Sequence, residues 1–210
     1  MEIPVNVPDG KCGGFEVLTY TITDESAMRY NLSLMMNGHG ARAVKPGVYK
    51  KLIWRDPKNH NNGTLWMSNT PAEIDDHWEF FYQVETRGGD ILINGLGLGV
   101  VLTHILKFPN VKTVTVIEKE KSIIKLVAPT FKDDKRIKII HADALKWKPE
   151  KGRRYNVVWH DIWPSLCTDN KPTMSYLHRS YARRCDWQGS WGKSFIERMM
   201  REERNRYHWR

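Results

Sequence analysis

Apolar residues recur along this chain in two rhythms, and the alternation between them predicts most of its secondary structure. Ile91, Leu92 and Ile93 form a short apolar run that ends at Asn94 and a glycine repeat, Gly95, Gly97 and Gly99. Leu98, Val101, Leu102 and Ile105 then fall at i, i+3, i+4 and i+7, the spacing of one buried helix face. A second run, Val114 to Ile117, closes on Glu118. Ile124, Val127 and Ala128 share the face of a further helix that Pro129 should end. Ile137 to Ile140 and Tyr155 to Trp159 read as a third and a fourth strand. This order of strands and helices predicts an α/β protein, with a Rossmann-like parallel sheet and helices on both faces.

The front of the chain reads differently. Residues 1–14 are expected to be irregular, and Val17 to Ile22 to be a strand. Thr23 or Asp24 caps a helix that should bury Met28, Leu32 and Met35 and stop at Asn37-Gly38. Tyr49 to Trp54 and Thr64 to Met67 predict a hairpin around a long polar turn. Thr70-Pro71-Ala72-Glu73 has the form of a capping box with proline at the first helical position. The helix it starts should bury Ile74, Trp78, Phe81 and Tyr82 and run to Arg87-Gly88-Gly89. Behind Lys171 the chain reads as helical, with Met174, Leu177, His178 and Tyr181 on one face and Trp191, Phe195 and Met199 on the next. The expected division is a β-hairpin and helix subdomain (1–69) packed on the core, a Rossmann-like cofactor-binding core (70–170) and a basic helical segment (171–210). The last strands of a full sheet are expected to be missing.

The glycine repeat carries the chemistry. Glycine lets the backbone turn sharply and lets a ligand approach closely, and a helix N-terminus offers unpaired N–H groups. Glu118 lies 21 residues after Gly97, near the offset at which an acid reaches ribose hydroxyls. A dinucleotide site favours G-x-G-x-x-G, but here Val100 stands at the last glycine. S-adenosylmethionine or a close analogue therefore fits better than NAD or FAD. Asn94, Glu118, Asp143 and Asp161 all follow predicted strands, at the carboxyl ends where such sheets bind ligands. Each has a plainer reading: Asn94 holds the turn, Asp143 caps the segment Ala144 to Trp147, and Asp161 caps a local turn. His141, His160, Trp159 and Trp163 flank the expected pocket, and packing is the simpler role for them.

Composition sharpens this picture without redirecting it. The 210 residues carry a net charge of +9. Residues 1–89 hold 9 basic against 11 acidic side chains, residues 90–170 hold 14 against 9, and residues 171–210 hold 10 against 4. The basic excess in the C-terminal half leaves nucleic acid open as a partner. No run of about 18 apolar residues predicts a membrane span. The start lacks the basic and apolar regions of a secretory signal. Three cysteines without metal-ligand spacing suit reduced thiols in a cytoplasmic protein, and no metal is expected.

With those residues in place, the segment from about Thr64 to Ser165 resembles class I S-adenosylmethionine-dependent methyltransferases, within them the spermidine-synthase-like branch and its short phage-encoded members. LINGLGLG, VTVIEKE, IIHADALKW and YNVVWHDIWPS carry the likeness. The resemblance implies that Gly95, Gly97 and Gly99, with Asn94, cradle the amino-acid end of the cofactor. It further implies that Glu118 holds the ribose hydroxyls with Lys119 also at the cofactor, that Asp143 and Ala144 meet the adenine, and that Asp161 lines the active centre. Two acids of the polyamine synthases are absent: none stands in the glycine loop, and Asp161 leads into Ile-Trp-Pro with no second acid. The expected activity is methyl transfer to a small-molecule nucleophile oriented or deprotonated by Asp161. The alternatives are a catalytically silent module that binds nucleic acid or protein, and aminopropyl transfer. The sheet edge left by missing strands would favour a homo-oligomer.

Overall fold

The computed structural model describes residues 2–37, 42–56 and 63–208. The N-terminal part is a four-stranded antiparallel meander of β1 (Gly10–Cys12), β2 (Phe15–Ile22), β3 (Gly47–Trp54) and β4 (Thr64–Ser68), in the order β1-β2-β3-β4. It is thus larger than a hairpin. The segment expected to be irregular contributes β1 and buries Ile3, Val5 and Val7. Most of the polar turn between β3 and β4 (57–62) lies outside the described residues, as does Gly38 at the expected end of the first helix.

Helix α1 (Asp24–Met36) forms where its cap predicts. Ser26 N–H donates to the Thr23 hydroxyl (3.2 Å), and Thr23 N–H donates to the Ser26 hydroxyl (2.9 Å). Its apolar face is not buried. Met28 is 69% exposed, Leu32 57% and Met35 69%, and only Ala27 is buried. The 3.6-residue period announces a helix but not a partner. The Asn31 amide holds α1 in place by exchanging two 2.8 Å hydrogen bonds with the Val44 backbone.

The next helix breaks in two, α2 (Pro71–Asp75) and α3 (Trp78–Arg87). The capping box does not close: the Thr70 side chain makes no cap bond, and Glu73 accepts the N–H of Ser68 instead. The break at Asp76-His77 shifts the helical phase. His77, Phe80, Phe81 and Val84 turn inward, whereas Trp78 (63%) and Tyr82 (50%) stay exposed.

Behind α3 runs a parallel sheet in the order β7-β6-β5-β8-β9. It is built from β5 (Gly89–Asn94), α4 (Val100–Ile105), β6 (Val111–Glu118), α5 (Lys121–Val127), β7 (Ile137–His141), β8 (Tyr155–His160), α6 (Lys171–Tyr181), β9 (Cys185–Ser190) and α7 (Lys193–His208). A 3₁₀ turn over Ala128–Phe131 follows α5 where Pro129 stands. Both faces are covered, as a parallel sheet requires. Ile91, Ile93, Val114, Val116 and Val157 join the N-terminal part, α3, α4 and α5 in one core; Leu92, Ile117 and Val158 join α6 and α7 in the other.

Strand β9 corrects the expectation that residues 171–210 are helical throughout. It pairs with β8 from Tyr155↔Cys185 to His160↔Ser190. Its sequence, CDWQGS, has no apolar run, and Gly189 is where the Trp159 and Trp187 rings leave no room for a side chain. Among the described residues the sheet ends at β9.

Candidate functional site

Chain order reverses on either side of β5, between β6 and β8, and there the carboxyl ends of the strands open onto a pocket of about 580 Å³. Gly95, Gly97, Glu118, Lys119, Asp143, Ala144 and Asp161 line it, and Asn94 and Gly99 do not. Asn94 is fully buried behind the strand ends. Its amide lies 2.7 Å from His160 Nδ1, and the opposite ring nitrogen lies 3.3 Å from Gln188 Oε1. His160 and Asn94 thus tie β5, β8 and β9 together from within, and burial pushes the imidazole down to about 3. Gly99 caps α4 in the left-handed region, packed against Phe131.

The glycine loop is shaped by the protein itself. Gly95 has φ +102°, and a Cβ on it would sit on the Asp161 carbonyl oxygen. Gly97 has φ +50°, and a Cβ would displace the Met67 sulfur, which accepts the Leu98 N–H at 3.0 Å. The absent side chains therefore let β4 and the end of β8 close onto the loop. The pocket opens on another side of these residues.

Glu118, 7% exposed, ends β6. Its two oxygens accept the N–H groups of Leu96 (2.8 Å) and Glu120 (2.7 Å), while burial raises its pKa. A carboxylate offers about four acceptor positions, so about two remain. Asp143 caps the turn that follows β7: Oδ1 accepts Leu145 N–H (3.0 Å), and its carbonyl accepts from Lys146 and Trp147. Lys119 Nζ lies 3.9 Å from Asp143 Oδ2. His141 is exposed beside the Lys119 carbonyl, and Trp159 is buried against Phe80 and Trp187. Trp163 does line the pocket, held by its N–H to Thr173 at 2.9 Å.

Across the pocket Asp161 keeps 21% of its side chain exposed. Burial, reinforced by the nearby carboxylates of Glu73, Asp76 and Glu118, pushes it up to about 7. Sequence reasoning missed most of this wall. Glu73 and His77 come from the broken helix, and Arg42, which pairs with Asp76 at 2.9 Å, joins from the N-terminal part. Trp191 also lines this wall and donates to Asp76 at 3.4 Å. The one signal in the sequence is the polar run Asp75-Asp76-His77, which interrupts an otherwise apolar helical rhythm. Glu73 and Asp76 supply acids near Asp161 where the sequence after the fourth strand has no second acid. Among the described residues no group of His, Cys, Asp and Glu could hold a metal, and no helix is long and apolar enough to cross a membrane.

Residues 89–161 match the family model of ribosomal RNA adenine dimethylases. An 83-residue stretch is 33% identical to polyamine aminopropyltransferase 1 of Streptomyces coelicolor, covering 35% of this chain and 15% of that protein. The chain therefore spans only a small part of that relative's length. Among solved structures, the CcbJ methyltransferase from Streptomyces caelestis is 17% identical over 52% of this chain and 45% of its own, with a TM-score of 0.41. The DhpI-SAM-HEP complex is 19% identical over 53% and 48%, with a TM-score of 0.41. It is by the segment 89–161, with its strand order and its acid at the end of β6, that the chain is similar to S-adenosylmethionine-dependent methyltransferases.

Proposed function

We propose that the chain binds S-adenosylmethionine at the Glu118 end of the pocket and transfers its methyl group to a small-molecule nucleophile at the Asp161 end. The observation that carries this reading is Glu118. A buried carboxylate with unused acceptor positions, open to the same pocket as Asp161, suits the paired hydroxyls of a ribose. In this reading Glu118 holds the ribose, Asp143 and Ala144 border the adenine, Lys119 flanks both, and Gly95 and Gly97 border the amino-acid end. The cofactor supplies a methyl group activated on a sulfonium.

The residues' own work is positioning and proton transfer. Asp161, held near 7, is partly ionised at neutral pH and takes the proton from the acceptor's N–H or O–H. Trp163 and Trp191 give the acceptor end an apolar border. Two other readings rest on particular observations. Glu73 and Asp76 beside Asp161 supply the negative charge that aminopropyl transfer to a diamine needs. The family match and the basic excess behind residue 90 favour an RNA acceptor.

Thermal unfolding with S-adenosylmethionine, its decarboxylated form, S-adenosylhomocysteine, methylthioadenosine and NAD tests the cofactor. Ligand at about 100 times its Kd adds roughly 2.7 kcal/mol, a shift of about 5–10 °C for a chain this size. The reading expects that shift with S-adenosylmethionine and its loss in Glu118→Ala. A shift with none of the nucleotides would overturn it. Preference for the decarboxylated form would transfer the proposal to aminopropyl chemistry. RNA binding that falls steeply with salt would name the third acceptor.

A further inference from the structure

His77 belongs to none of the cofactor motifs, yet the N-terminal segment is bent to deliver it. The break between α2 and α3 places its backbone at φ −101° and ψ 3°, and the ring turns inward to 4% exposure. Trp159 meets the imidazole edge-on at 5.8 Å and Phe81 lies at 6.1 Å, so the ring has a fixed plane in apolar surroundings. Nε2 points across 3.9 Å at Asp161 Oδ2. Nδ1 has no hydrogen-bond partner among the described residues, and the residue lines the pocket. Buried imidazoles are ordinarily hydrogen-bonded. This one is held in place by its neighbours and left open toward a single carboxylate.

Resting on the methyltransferase reading above, we infer that His77 is a positioning residue for Asp161: its Nε2–H is directed at Oδ2, favours the carboxylate form and leaves Oδ1 to take the acceptor's proton. The proton balance is simple. The acceptor's N–H or O–H bond breaks, its electron pair stays on the acceptor, and an O–H bond forms on Asp161. Pairs of this kind are often long in unliganded sites and tighten when substrate binds. Burial holds His77 at about 4, so the imidazole is neutral at neutral pH and acts as a dipole. Every other ionisable group near Asp161 named by its electrostatics is an acid: Glu73 from α2, Asp76 from the break and Glu118 from β6. Arg42 is engaged by Asp76. Hydrogen bonding toward the charged form is one of the ways a carboxylate is kept ionisable, and His77 is placed to supply it.

The test uses the full chain and needs no acceptor. Ring ¹⁵N NMR of the wild type should show His77 as the neutral Nε2–H tautomer, with shifts that follow the titration of Asp161. The Nδ1–H tautomer would overturn the inference. Carbon-detected titration of the Asp161 carboxyl, assigned with Asp161→Asn, then compares wild type, His77→Phe and His77→Gln. His77→Phe keeps the aromatic packing and should raise the proton affinity of Asp161 about tenfold, and His77→Gln should recover most of that change. A change of less than about twofold in His77→Phe would reduce His77 to packing. Thermal shift with S-adenosylhomocysteine on the same samples reports the cofactor end. If the wild type ignores that ligand, the methyltransferase reading fails, and the titration still decides whether the pair exists.

Discussion

The two walls of the pocket have different origins and carry different charge arrangements. On the β6–β7 side, Glu118 and Asp143 are met by backbone N–H groups, Glu118 by the glycine loop and by its own turn, Asp143 by the turn it caps. On the β8 side, Asp161 from the end of β8 lies near Glu73 and Asp76 from α2 and its end, with His77 among them. The first arrangement satisfies charge locally and suits holding a ligand in one pose. The second raises the proton affinity of a carboxyl and suits moving a proton. In the proposed function, binding and chemistry are thus divided between backbone N–H groups and long-range packing.

The comparison can be broken where the walls meet. Gly95→Ala would force a side chain onto the Asp161 carbonyl at positive φ. We expect a loss of roughly 3 kcal/mol or more in denaturant unfolding, with both ends of the pocket lost together. Phe80→Ala removes a fully buried ring stacked 5.1 Å from Trp159, beneath the acceptor wall. It should cost about 3–5 kcal/mol, while the protein that remains folded still binds cofactor through Glu118. Nucleotide affinity lost in step with stability would show that the walls are not separable.

Asp161→Asn sharpens the contrast through pH. The folded carboxyl titrates near 7 and the unfolded one near its ordinary value of 3.8. Below the lower value both states are protonated and the group contributes nothing. As pH rises from there to 7, ionisation increasingly favours the unfolded chain. The variant should therefore match wild type at pH 4 and exceed its stability by a few kcal/mol at pH 8, as read from urea midpoints. The smallest effect belongs to Met28→Asp on the exposed face of α1. Stability should change within about 0.5 kcal/mol, since the site touches neither wall; a larger loss would show that this face is covered in solution.

What the sequence made legible follows the same division. Strand ends, the glycine turn and Glu118 lie in one continuous stretch, where periodicity and offset suffice. Asn94 occupied the right position but turned into the interior, because His160 on the adjacent strand pairs with it. Trp78 and Tyr82 were misplaced for a related reason. A helical rhythm gives the face only while the helix is unbroken, and the break at Asp76-His77 moves it by one residue. Strand β9 escaped because its sequence holds no apolar run, and its Gly189 packs beneath Trp159 of β8 and its own Trp187. Long-range pairings of this sort have no signature in spacing.

The broken helix makes the acceptor wall unusually sensitive to chain length. Trp78 and Tyr82 keep the rhythm of Ile74, whereas His77, Phe80 and Val84 run one residue ahead of it. Inserting a single residue between Ile74 and His77 would bring the two rhythms back into step and allow one continuous helix. Such a helix could still cover the sheet with aromatic side chains, but the bend that now sets the imidazole beside Asp161 would be gone. Among homologues of this chain, a one-residue insertion at this point would mark the members that lack the bend beside Asp161.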